Sequence, residues 1–181
     1  MVVGVRIAVS CLLAVGLAAV GWLAAGFAPQ FIGLVYLAAV TPALVGIDLR
    51  EHRLPNRLVL PGIGAGLLGC AGEWIAAGSP PLVPIIAALT YAGFLLILNL
   101  TGGMGMGDVK LAAVLGLASW NLEVAVFSPV IAFLVGGLVA VALLAMGQRG
   151  RRVAFGPYLL GGYWVAVGLL AAMRLLEAKT V

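Results

Sequence analysis

Long apolar runs, bounded by polar residues or by Gly and Pro, fall at residues 5–27, 31–48, 57–77, 81–100, 108–120, 123–146 and 153–175. A helix that crosses a bilayer needs about 20 residues, so the pattern predicts an all-α integral membrane protein with about seven transmembrane helices. Composition agrees, since 64% of the 181 residues are apolar and 9% are charged, with a mean hydropathy of +1.23. Soluble domains average roughly 45 to 50% apolar and about 25% charged, so this chain has too few solvated residues to cover a globule. No room is left for a sizeable soluble part, and residues 1–181 are expected to form a single polytopic membrane domain. The first run follows Arg6 and ends in small residues, as a signal peptide does. Its apolar stretch exceeds the roughly 7 to 15 residues usual for such a peptide, and a retained helix is expected.

The net charge of +4 would raise the question of nucleic acid in a soluble protein. In a membrane chain the same excess marks cytoplasmic loops, so membrane lipid, and not nucleic acid, is the expected surroundings of these charges. With the N-terminus cytoplasmic, eight of the ten basic residues fall inside: Arg6, Arg50, Arg53, Arg57, Lys110, Arg149, Arg151 and Arg152. Only Arg174 and Lys179 fall outside, which predicts seven helices with the C-terminus outside, in the cytoplasmic membrane. Cys11 and Cys70 lie inside apolar runs and form no C-x-x-C pair, so both are expected to be buried small apolar residues, with no metal site and no cofactor. Gly62-x-x-x-Gly66 has the spacing of a close helix contact.

An ionisable residue at membrane depth is costly and signals function. Glu51, Glu73, Glu123 and Glu177 fall in loops, helix ends or the tail, where a solvated charge explains them. Asp48 closes the second run, and Asp108 opens the fifth straight after Thr101-Gly102-Gly103-Met104-Gly105-Met106-Gly107. The helix order brings both to one face, although they are 60 residues apart in sequence. From Asp108 to Trp120 the fifth run is 13 residues long, about 20 Å of helix against a hydrocarbon core of about 30 Å. Asp108 should therefore lie below the surface, in a pocket that the glycines line with it.

Paired carboxylates are what an aspartic peptidase needs: two at close range share one proton, so that one draws a proton from water while the other polarises the scissile carbonyl. Gly105 and Gly107 would let an extended substrate backbone approach, and with Lys110 they are assigned to substrate binding. The plainer alternative is a Gly-rich turn in which Asp108 merely caps a helix, which leaves Asp48 unexplained. Asn56 is expected to cap the third helix, and His52 to be a solvated loop residue.

Gly105-Met106-Gly107-Asp108-Val109-Lys110-Leu111 resembles the G-x-G-D-x-K-L signature of type IV prepilin peptidases. Asp48 followed by Arg53-Leu54-Pro55-Asn56 resembles that family's first aspartate motif, and Phe155-Gly156-Pro157-Tyr158 the start of its last helix. The resemblance covers residues 31–163, which are expected to form the peptidase core. It implies an intramembrane aspartic endopeptidase with Asp48 and Asp108 as the catalytic pair, cutting the leader of type IV pilin-like precursors at the cytoplasmic face. Presenilin-like relatives place a Tyr before the first aspartate, where this chain has Ile47. The cytoplasmic insert with paired C-x-x-C motifs, associated with N-methylation in longer members, has no counterpart here, so the chain resembles the short, peptidase-only form. Two other readings stay open at this point: a small transporter whose aspartates bind a proton or cation, and a catalytically silent subunit of a pilus or secretion apparatus.

Overall fold

A computed structural model describes residues 2–147 and 154–180. Arg149, Arg151 and Arg152, three of the charges used to orient the chain, lie outside the described residues. Seven helices follow one another: α1 (Val2–Ala25), α2 (Phe31–Glu51), α3 (Asn56–Ala77), α4 (Leu82–Leu100), α5 (Met106–Leu117), α6 (Leu122–Ala145) and α7 (Gly156–Thr180). All the regular structure among the described residues is helical. Six of these helices are long and apolar enough to cross a membrane.

The exception is α5. Its 12 residues rise only about 18 Å, well short of a hydrocarbon core of about 30 Å. A helix that short cannot bury its own backbone ends against lipid, and α5 is instead enclosed by α3, α4 and α7. Leu111, Ala112, Val114 and Leu115 are almost completely buried. Beyond Lys110 the helix is accordingly apolar on every side rather than on one stripe.

Glycine makes the close packing possible. A Cβ on Gly62 of α3 would come within 2.9 Å of Val114 Cγ1, and one on Gly66 within 2.7 Å of Leu117 Cβ, so both glycines of the G-x-x-x-G pair give their space to α5. On its other side, a Cβ on Gly116 would run into the backbone of Ala87 and Ala88 in α4. The C-terminal end of α5 is tied to α7 by Tyr163, fully buried, whose hydroxyl donates to the Ala118 carbonyl at 2.7 Å. Trp164 Nε1 donates to Thr41 Oγ1 at 2.9 Å and ties α7 to α2.

The outer surface carries many large apolar side chains. Phe127, Leu134, Leu138, Val141 and Leu144 of α6 and Leu12 and Val15 of α1 are all exposed, a patch untenable in water and expected of a multi-pass membrane protein. Cys70 is buried as expected, but Cys11 is exposed on α1. An apolar run shows that a residue leaves water; it does not show whether the residue leaves water for protein or for lipid.

The helix order separates two ends of the bundle. One carries the α5–α6 connection and the start of α2, where Trp120, Gln30, Glu73 and Ser79 border a small cavity. The other carries the end of α2, the residue 101–105 loop and the start of α7, and both aspartates of interest are there.

Candidate active site

Asp48 occupies the last turn of α2 and is only 4% exposed. The helix ends because His52 takes a left-handed conformation, φ 51°, and closes the turn with its N–H on the Asp48 carbonyl at 2.9 Å. The chain then tucks Leu54 into the core and restarts at Pro55, which precedes α3 in an extended conformation. The side chain of Asp48 is reached from elsewhere: the Gly156 N–H, at the start of α7, donates to its Oδ2 at 2.9 Å.

Asp108 is in the first turn of α5, and its Oδ2 accepts from the Gly105 N–H at 3.3 Å. The loop before it folds back on α4, where Asn99 Nδ2 donates to the Met104 carbonyl at 2.7 Å and the Gly103 N–H to the Leu98 carbonyl at 3.0 Å. Gly102 takes φ +80°, a conformation that favours glycine. The left-handed turn is thus at Gly102, whereas Gly105, at φ −80°, is extended.

Both aspartates line one cavity of about 630 Å³. Its walls are the residue 102–105 loop, Leu98, Phe133, Gly136, Gly137 and Ala140 of α6, His52, and Ala154 and Phe155 before α7. Each carboxylate has one oxygen held by a backbone N–H, while its Oδ1 accepts no hydrogen bond from the described residues. That leaves an oxygen on each carboxylate for a third party, such as a shared proton, a water or a carbonyl.

The three residues assigned to substrate binding are placed differently from one another. Gly105 lines the cavity. Gly107 does not; a Cβ there would come within 3.0 Å of Leu54 Cβ, so this glycine accommodates the residue 52–55 turn. Lys110 Nζ donates to Asn56 Oδ1 at 3.0 Å, joining α5 to α3. Asn56 therefore serves Lys110 and makes no cap bond on α3, whose N-cap is Pro55. Sequence reasoning missed His52, Phe133 and Gly136 as cavity residues. The last two carry no signal within an uninterrupted apolar run. Among the described residues no group of three or more His, Cys, Asp or Glu could hold a metal ion.

Residues 34–146, more than half of the chain, match the model of the Type IV leader peptidase family. The chain belongs to that family. It is similar to the prepilin leader peptidase/N-methyltransferase of Xanthomonas campestris pv. campestris, at 37% identity over 77% of this chain and 50% of that protein. Similar too are the proteins of the same name from Pseudomonas putida, at 33% identity over 72% and 48%, and Aeromonas hydrophila, at 33% over 72% and 47%. The chain spans about half the length of the curated relatives it matches. No solved structure matches it. As a Type IV leader peptidase family member it carries both aspartates inside the matched region, and the cavity that they line is the candidate peptidase centre.

Proposed function

We propose that this protein is an intramembrane aspartic endopeptidase that cleaves the leader of type IV pilin-like precursors, with Asp48 and Asp108 as the catalytic pair and residues 31–163 as the peptidase core. The observation that carries the reading is the convergence of two carboxylates, from separate helices, on one cavity within a leader peptidase family match. In the cycle, the pair holds one proton. The ionised carboxylate takes a proton from water as the water attacks the scissile carbonyl, and the protonated one donates to the carbonyl oxygen. The Oδ1 atoms, which accept no hydrogen bond from the described residues, supply the two positions that this needs. Gly105 borders the path of an extended substrate backbone, which a β-branched side chain there would narrow. The methyltransferase half of the relatives' name is not part of the proposal.

The membrane face is inferred from charge. Arg50, Arg53, Arg57 and Lys110 belong to the aspartate end of the bundle, which puts that end in the cytoplasm with the N-terminus, and the C-terminus outside. A precursor with a basic leader and an apolar helix would insert with its scissile bond on that side.

The test is cleavage by the purified protein of a panel of pilin-like precursors in detergent, with the products weighed by mass spectrometry. A single cut at the leader junction is expected. Proton or cation flux in vesicles with no precursor cut would favour the transporter reading instead. In intact cells, and with Cys11 and Cys70 replaced, Arg53→Cys should resist a membrane-impermeant thiol reagent and Ser79→Cys should be labelled; the opposite pattern would invert the face.

A further inference from the structure

The start of α7 can be accounted for donor by donor. Tyr158 and Leu159 N–H groups bond to the Phe155 carbonyl, at 3.0 and 3.1 Å. Pro157 has no N–H to offer. One amide of the turn remains, that of Gly156, and it goes to Asp48 Oδ2 at 2.9 Å, in a buried contact across 108 residues of sequence. A helix start carries unsatisfied amides and partial positive charge, so this end of α7 suits a carboxylate.

Space points the same way. A Cβ on Gly156 would come within 2.7 Å of Asp48 Oδ2, 3.2 Å of its Cγ and 3.2 Å of Leu54 Cδ2. The carboxylate occupies the place of the side chain that any other residue would bring. The preceding residue is fixed as well: the Phe155 ring fills the site where a Cβ on Gly136 would sit, 2.6 Å from Cε2, and packs on Phe133 with centroids 5.1 Å apart. Gly156 is thus held from α6 on one side while it holds Asp48 on the other.

We propose that Gly156 is the positioning residue of the first aspartate: its amide fixes Oδ2 of Asp48, so that Oδ1 is the oxygen presented to the reaction. The inference rests on the peptidase reading for its kinetic consequence and on the contact alone for its structural one. Because turning the carboxylate displaces the reacting oxygen without closing the cavity, the loss should fall on kcat and not on substrate affinity.

Two measurements test it. Phe155-Gly156 is the only Phe-Gly pair in the chain, so labelling Phe carbonyl carbons with ¹³C and Gly nitrogens with ¹⁵N gives a single Gly156 amide resonance. Asp48→Ala should shift that resonance upfield as the hydrogen bond is lost, and Asp108→Ala should move it less. An unmoved resonance in Asp48→Ala overturns the proposal, whether or not any precursor is cut. In the cleavage assay, Gly156→Ala should lower kcat by about tenfold to a hundredfold with KM within about twofold, and Gly161→Ala, where a Cβ meets nothing within 4 Å, should match the wild type. An unchanged kcat in Gly156→Ala would also overturn it. Wild-type protein that cuts no precursor would instead remove the peptidase reading and leave the resonance to decide the role of Gly156.

Discussion

The two carboxylates of the cavity are held in similar ways by different means. Asp108 takes its backbone donor from three residues earlier in its own chain, at 3.3 Å, as part of the turn that starts α5. Asp48 takes its donor from a helix start 108 residues later, at 2.9 Å, and its surface is buried where that of Asp108 is half-buried. One half of the site is therefore local and folds with its own helix. The other exists only when α2 and α7 are packed together. A capping role accounts for Asp108 by itself, but no local motif accounts for a buried carboxylate at the C-terminal end of α2, where the helix dipole disfavours negative charge. The asymmetry is what argues for function at Asp48.

Substitution in the glycine loop probes how the two halves are joined. Gly107 of α5 packs on Leu54, in the turn directly after Asp48, so Gly107→Val should displace that turn. It should abolish cleavage and cost about 1 to 3 kcal/mol of stability from overpacking, read as a lowered melting temperature. Gly105→Val crowds only Asp108 Oδ2, 3.3 Å from the added Cβ, and should lose cleavage while melting near the wild type. Equal melting temperatures for the two variants would mean that the local and tertiary halves are not joined through Gly107. The smallest effect is expected at Lys110. Its bond to the exposed Asn56 is a surface contact, worth about 1 kcal/mol or less, and Lys110→Ala should change cleavage by less than about threefold. A larger loss in kcat/KM would return Lys110 to the substrate side of the site.

These contrasts follow the line between what the sequence discloses and what it conceals. All seven helices are visible as apolar runs, and so is the shortness of the fifth, because removal from water is written into hydropathy. The Gly62 and Gly66 spacing correctly marks a close contact. Its partners, Val114 and Leu117, could not be read, because in lipid the outward and inward faces are equally apolar. The same ambiguity hides the α6 wall of the cavity and the exposure of Cys11. Gly107 reads as open backbone in sequence and proves to be filled by Leu54, since a glycine before an aspartate looks the same whether a substrate or a neighbouring turn occupies its missing side chain. The Asp48–Gly156 contact is a tertiary event with no local pattern beyond the glycine itself.

The most direct test of the central claim is cleavage by Asp48→Asn and Asp108→Asn, each assayed against a precursor that the wild type cuts, with membrane insertion checked in parallel. Because one carboxylate cannot both activate water and polarise the carbonyl, each variant should insert normally and yield no detectable product, while Glu73→Gln and Glu123→Gln remain active. Cleavage near the wild-type rate by either aspartate variant would contradict the assignment of the pair.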